Sequence, residues 1–436
     1  MIQGGARWWI VGVVASTVLA GCTAAPAGPG ASSGSDSTVT PGTPATNGTP
    51  ADSTPATPGT PGTTTPRTTP SPLPTVLPPA PAWAAPPTDF TVPTDSPYVL
   101  DGVRNVTQVG QITGAEGPGD TTQWGVGFCD LGSMFEANGK VYFTFGDTFA
   151  AREPGATGGG GTGWRSNVMG WTTDANPADG ITIAGMIVDD KGIAKELLPS
   201  KKTDFLEMTV IPTYGFEANG ALYLHWMSVK HWGPKGGEWV VNDAGLSKST
   251  DEGHTWTKLD APRWDGKSGF VQIAPAHVVE NGVDTLYVWG ITHGRFAGVS
   301  LAKVPTAAVE DPAAWQYYTG TDSAGAPQWG NDYHAAAIVI DDTVGELSVM
   351  WSPYLDRWIM TYLREGTGIV MREGLTPWGP WGKAITVVRA SDVPGPYAPY
   401  MLPRYTEANG ATIYFTLSIW EPYEVFWYRA DLKKAG

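Results

Sequence analysis

The segment Glu136-Ala137-Asn138-Gly139 recurs as Glu217-Ala218-Asn219-Gly220 and Glu407-Ala408-Asn409-Gly410, with Glu280-Asn281-Gly282 as a shortened copy. Each copy lies between two strand-like runs. Both central positions of a type I′ turn need positive φ, so Asn-Gly between alternating apolar residues predicts a tight β-hairpin. A hairpin that returns at intervals of tens of residues predicts a propeller or solenoid rather than one sheet. In the first copy a two-residue turn at Asn138-Gly139 pairs Ala137 with Lys140. Counting outward, Asp130 then faces Asp147. Like charges directly opposite destabilise a sheet, so a pair kept at that cost marks a candidate site.

The N-terminus reads as an export signal. Arg7 precedes an apolar run, Trp8 to Ala20, that is too short to cross a bilayer. The run ends in Leu19-Ala20-Gly21-Cys22, which resembles the bacterial lipoprotein cleavage box. The resemblance implies removal of residues 1–21, lipidation of Cys22 and an extracytoplasmic, membrane-anchored location. The only other cysteine is Cys129, so a lipidated Cys22 leaves no intrachain disulfide, and Cys129 is expected as a small buried filler. Residues 22–97 are rich in Pro, Thr, Ala, Gly and Ser and bury too little to fold, which predicts a disordered linker. Residues 98–436 form one large domain's worth of chain, dense in Trp, Tyr and Gly. A formal charge of −15 argues against nucleic acid or an anionic lipid surface as partner. The chain is expected to be a monomer.

Five inner hairpins are expected, at 129–149, 209–227, 272–291, 346–362 and 400–420. The third is expected to carry a longer turn after Asn281-Gly282. Each is followed by a second, more variable strand pair, except the last, which has only Glu424 to Leu432 after it. The missing strand is assigned to Val103–Ile112, ahead of the first hairpin. The fold expected is all-β: a five-bladed β-propeller whose N-terminal strand closes the last blade. Ser249-Thr250-Asp251-Glu252-Gly253-His254-Thr255-Trp256 matches the Asp-box pattern of sialidase-type propellers, a structural turn rather than a catalytic motif.

That topology sends the Asn-Gly turns and the Asp box to one face and the chemistry to the other. Asp130, Asp147, the loop Gly155–Gly163, Arg165 and Asn167 are expected at the mouth, and Glu346 opens the fourth inner strand at a matching height. Convergent carboxylates suit glycosidic cleavage, which needs one protonated acid and one ionised carboxylate. Arg165 is placed to hold one of them ionised. Trp124, Trp232, Tyr400 and Trp420 are candidates for stacking on sugar faces. No pair of histidines has metal-ligand spacing and no phosphate loop or nucleophile elbow is present, so no metal or cofactor is expected.

Phe128-Cys129-Asp130-Leu131-Gly132, Phe145-Gly146-Asp147-Thr148-Phe149, Gly163-Trp164-Arg165-Ser166-Asn167, Gly294-Arg295-Phe296, Gly345-Glu346-Leu347-Ser348-Val349 and Leu417-Ser418-Ile419-Trp420 together resemble the family catalogued as domain of unknown function 4185. The resemblance spans about 105–432. It implies kinship with glycoside hydrolase family 183, five-bladed propellers that include endo-D-arabinofuranosidases. On that footing Asp130, Asp147 and Glu346 are the expected catalytic residues, and Arg165, Asn167, Trp232, Arg295, Tyr400 and Trp420 the expected substrate-binding ones. The implied partner is the D-arabinan of arabinogalactan and lipoarabinomannan in actinobacterial walls. Two other readings stay open at this point: a non-catalytic glycan-binding propeller, and a hydrolase of another polysaccharide, sialidase-like or another arabinan.

Overall fold

The computed structural model describes residues 72–82, 86 and 98–435. The expected signal peptide, Cys22 and most of the 22–97 linker lie outside the described residues. The described chain folds into five antiparallel sheets, the blades of a propeller. Blade 1 is Phe128–Ala137, Lys140–Phe149, Val168–Thr172 and Gly185–Met186; blade 2 is Thr209–Ala218, Ala221–Trp232, Trp239–Ser249 and Thr257–Asp265. Blade 3 begins Gln272–Glu280, Val283–Ile291 and Ala297–Pro305, and three short strands extend its outer edge. Blade 4 is Leu347–Ser352, Arg357–Arg364, Gly368–Gly374 and Ile385–Arg389.

Blade 5 takes Met401–Glu407, Thr412–Ile419 and Glu424–Lys434 from the C-terminus and its outermost strand, Leu100–Gln111, from the N-terminal side. The ring closes as expected. The Glu373 carboxylate of blade 4 accepts the backbone N–H groups of Val99 and Leu100 at 3.0 and 2.9 Å, which fixes where the closing strand starts. Large aromatics fill the space between blades, and Trp226, Trp264, Trp289, Trp315, Trp358 and Trp427 are fully buried.

The turn chemistry acts as its residues demand. Asn138, Asn219 and Asn281 have φ of 51°, 54° and 52°, each followed by a glycine at positive φ. Ala137 pairs with Lys140, and Ala218 with Ala221. Glu280 pairs directly with Val283, so the third hairpin has the same two-residue turn rather than the longer one expected. The acidic residues of the repeat are turn residues: Glu217 accepts from the Gly220 N–H at 2.8 Å and Glu407 from the Tyr414 hydroxyl at 2.7 Å. In the Asp box, Asp251 accepts from the Thr255 N–H at 2.8 Å while Trp256 packs with Phe135, Tyr142 and Met169 between blades 1 and 2.

The linker expectation needs one correction. Residues 72–82 lie against the turn face, across blades 1 and 5. Leu77 is buried and its N–H donates to Gly139 O at 3.1 Å; Pro74 O accepts from Thr173 and Pro78 O from Arg404. Proline carbonyls that find donors and one leucine that finds a hydrophobic seat are enough to hold this piece of an otherwise apolar-poor segment.

Candidate active site

The inner hairpin of blade 1 is irregular where its chemistry lies. The pairing runs evenly from Ala137–Lys140 to Ser133–Thr144, then shifts at Leu131–Phe145 and again at Cys129–Thr148. Leu131 and Gly132 both have positive φ, 68° and 85°. The double bulge cancels overall, so Asp130 still faces the Gly146-Asp147 step, but not as a flat cross-strand pair. Gly146 is required there: a Cβ on it would stand 2.5 Å from Asp130 Oδ1.

Asp147 is 9% exposed. Its Oδ1 accepts from Trp164 Nε1 at 2.7 Å and from Thr209 Oγ1 at 2.6 Å. Burial raises its carboxyl to about 6 against these two donors. Asp130 Oδ2 accepts from the Tyr397 hydroxyl at 3.0 Å. Burial, then the charges of Asp147 and Glu346, raises the Asp130 carboxyl to about 7. Both carboxyls are thus raised above the ordinary range, and the two donors on Asp147 Oδ1 favour its anion while the charge of Asp147 favours the protonated form of Asp130.

Glu346 is 5% exposed and immediately precedes the inner strand of blade 4. Its carboxylate accepts from Arg295 Nη2 at 2.8 Å and from Arg295 Nε at 3.2 Å to each oxygen. A carboxylate forked into a guanidinium in this way is an anion, so the geometry gives Glu346 the role of charge partner rather than proton donor. The Arg295 guanidinium also lies 5.0 Å from the Tyr397 ring centre and 5.7 Å from that of Trp239.

Asp130, Asp147, Glu346 and Arg295 all line one pocket of about 870 Å³ at the mouth. Three of the expected sugar-facing aromatics line it too. Tyr400 is at the floor, its ring edge-on to Tyr214 at 5.5 Å. Trp232 and Trp420 stand at the rim, 37% and 51% exposed. The glycine-rich loop lies against the rim rather than free of it: a Cβ on Gly158 would meet the Trp420 ring at 2.8 Å, and one on Gly159 the Tyr423 ring at 3.1 Å.

Arg165, Asn167 and Trp124 are not brought to the pocket. Arg165 turns away to the Gly125 and Ala194 carbonyls at 2.5 and 3.4 Å. Asn167 is wholly buried and spends its amide on four backbone groups: the N–H groups of Leu197 and Leu198, and the carbonyls of Leu198 and Val210. Arg165 satisfies loop carbonyls, and Asn167 ties the loop at Leu197-Leu198 to the Val210 carbonyl on the inner strand of blade 2, as buried loop backbone requires. Trp124 sits in a short 3₁₀ turn packed on the core. Conversely, Tyr397, Trp164 and Thr209 escaped the reading of site residues from the sequence. Only Tyr397 had a usable signal, the rigid run Pro394-Gly395-Pro396-Tyr397-Ala398-Pro399-Tyr400. Among the described residues no group of three or more His, Cys, Asp or Glu is placed to hold a metal ion.

Solved structures with a related outline include a GH43_1 enzyme from Xanthomonas citri, at 13% identity over 70% of this chain and 87% of that one, with a TM-score of 0.40. An unknown function protein from Dyadobacter fermentans aligns at 10% identity over 75% and 99% of the two chains, TM-score 0.42. A xylan beta-1,4-xylosidase from Bacillus halodurans aligns at 12% identity over 71% and 53%, TM-score 0.39. Likeness this distant says nothing of substrate or reaction. No curated protein matches the sequence. The family profile described as Domain of unknown function (DUF4185) matches residues 116–429, which is most of the chain and all of the propeller but the closing strand Leu100–Gln111 and the last residues of its partner, and the chain belongs to that family.

Proposed function

We propose that the domain is a glycoside hydrolase that cleaves D-arabinan of actinobacterial arabinogalactan and lipoarabinomannan, in the manner of an endo-D-arabinofuranosidase. The observation that carries this reading is the pair Asp130 and Asp147, two carboxyls on facing strands at the mouth, Asp147 buried and Asp130 partly buried, both raised above the ordinary carboxylate range and each held by its own donors. Asp130, whose carboxyl is raised to about 7 and so retains a proton on a large share of molecules near neutral pH, gives that proton to the leaving glycosidic oxygen. Asp147, ionised and steadied by Trp164 and Thr209, either attacks the anomeric carbon or takes a proton from the water that does. Arg295 and Glu346 add a fixed charge pair beside the acid. The pocket volume is at the upper end of the ~300–1,000 Å³ typical of small-molecule sites, roomy enough for a section of polymer. Trp232 of blade 2 and Trp420 of blade 5, both exposed on the lining of the pocket, give sugar rings something flat to lie on.

Two experiments test this. The full chain is incubated with purified mycobacterial arabinogalactan and the supernatant is examined for released oligosaccharides, with Asp147→Asn as control. Release by the parent and none by the variant is expected. Binding without release would favour a glycan-binding propeller, and neither would end the reading. The anchored location rests on the Leu19-Ala20-Gly21-Cys22 box, and loss of detergent-phase partitioning on Cys22→Ser tests it.

A further inference from the structure

The floor of the pocket holds a group that the reading above does not use. Tyr397 is 3% exposed, and its hydroxyl donates to Asp130 Oδ2 at 3.0 Å across 267 positions of chain. Its ring faces the Arg295 guanidinium, which in turn holds Glu346. The backbone around it is built for placement. Tyr397 pairs with Ser418 through a two-residue strand, and the Pro399 carbonyl is tied down by Thr361 Oγ1 at 2.7 Å. Between them Ala398 has φ 54°, a left-handed conformation that a residue with a Cβ adopts only when its surroundings force it. That strained residue sends Tyr397 and Tyr400 into the same funnel.

We infer that Tyr397 is the positioning residue of the acid: it fixes Asp130 Oδ2, leaves Oδ1 to carry the proton that moves, and stabilises the carboxylate left behind. This rests on the hydrolase reading. Tyr397 is itself held well above the ordinary range of a phenol by burial and by Asp130, so it stays a donor and is not a nucleophile. The groups that face Asp130 are Asp147 and Cys129 from blade 1, Glu346 with Arg295 from blades 4 and 3, and Tyr397, Tyr400 and Tyr423 from blade 5. The Tyr423 hydroxyl also favours the Asp130 anion, so one such group remains when Tyr397 loses its hydroxyl.

The test is Tyr397→Phe in the full chain, which keeps the ring against Arg295 and removes one oxygen. Losing a hydrogen bond that favours the charged form of Asp130 moves the alkaline limb of the pH–rate profile on arabinan upward by about one pH unit. An alkaline limb that superimposes on the parent's overturns the inference, whatever happens to the rate. A second arm needs no substrate. Melting temperature is followed from pH 4 to pH 9, and its decline with rising pH is expected to extend to higher pH in Tyr397→Phe, but not when Asp130→Asn is also present. Coincident melting profiles of Tyr397→Phe and parent overturn the inference even if the protein hydrolyses nothing. A missing hydrolase activity with the melting profile displaced sinks the reaction but leaves the positioning contact. If Tyr397→Phe does not fold, Asp130→Glu moves the carboxyl off the hydroxyl; a displaced alkaline limb is expected, and an unmoved one overturns the assignment.

Discussion

Replacing Asp130 by Asn removes a charge that the folded chain holds at a loss, and the size of that loss can be worked out. The carboxyl moves from an ordinary 3.8 to about 7 on folding, because burial and the neighbouring Asp147 disfavour its anion. One pH unit of such displacement is ~1.4 kcal/mol, so the ceiling on the penalty is ~4 kcal/mol. The folded value lies above the unfolded one. The folded chain therefore holds the extra proton between pH 3.8 and about 7, and stability falls as pH climbs through that window. At pH 4 the variant and parent are expected to be nearly equal. Above pH 7 the variant is expected to be more stable, by about 1–3 kcal/mol once the amide's poorer fit to Tyr397 is set against the ceiling. With ~2.1 cal/mol/K of unfolding entropy per residue, 1 kcal/mol is about 1.4 °C for a domain this large, so a rise of about 1–4 °C is expected at pH 8. Differential scanning calorimetry from pH 4 to 8.5 reads it. A difference independent of pH, or a variant less stable at pH 8, would refute the argument that Asp130 is a desolvated, proton-retaining carboxyl. Hydrolysis of arabinan by the same variant is expected to vanish.

Three further outcomes follow from other contacts. Gly146→Ala places a Cβ 2.5 Å from Asp130 Oδ1, so turnover is expected to fall at least tenfold with the fold kept; parent rates on arabinan would show that the carboxyl has room to move. Glu346→Gln leaves the half-buried Arg295 without its anion, and a loss of about 3 kcal/mol in denaturant unfolding is expected; an unchanged midpoint would mean that the pair contributes nothing. Deleting residues 72–82 removes the buried Leu77 and its backbone bond to Gly139, costing about 2 kcal/mol; an unshifted melting temperature would show that the segment only rests on the domain.

What could be read from the sequence is what backbone geometry settles within a few residues. Asn-Gly demands positive φ at two successive positions, so the hairpins of blades 1, 2 and 3 and their register follow from the dipeptide, whereas the blade 4 turn lacks it and the blade 5 turn spends four residues, Ala408–Ala411, around it; the count of strands after the fifth hairpin leaves one to be supplied from the N-terminal side. Counting from the first turn put Asp130 and Asp147 at the mouth, and the equivalent count in blade 4 put Glu346 there. The count could not see the double bulge, because Leu131 and Gly132 take positive φ to suit a carboxyl packed on Gly146, a contact between strands. Nor could it see direction. Arg165 and Asn167 stand at strand height near the mouth but turn to loop carbonyls and amides that no strand satisfies, and that need exists only once the loops are packed. The pairs that set the chemistry, Tyr397 with Asp130 and Arg295 with Glu346, join residues from different blades. Ring closure brings Tyr397 of blade 5 to Asp130 of blade 1, and the packing of blade 3 on blade 4 brings Arg295 to Glu346. Local φ preferences determined the blades, while the charge states inside the funnel were decided by tertiary burial, since desolvation depends on everything around a carboxyl and not on its neighbours in the chain.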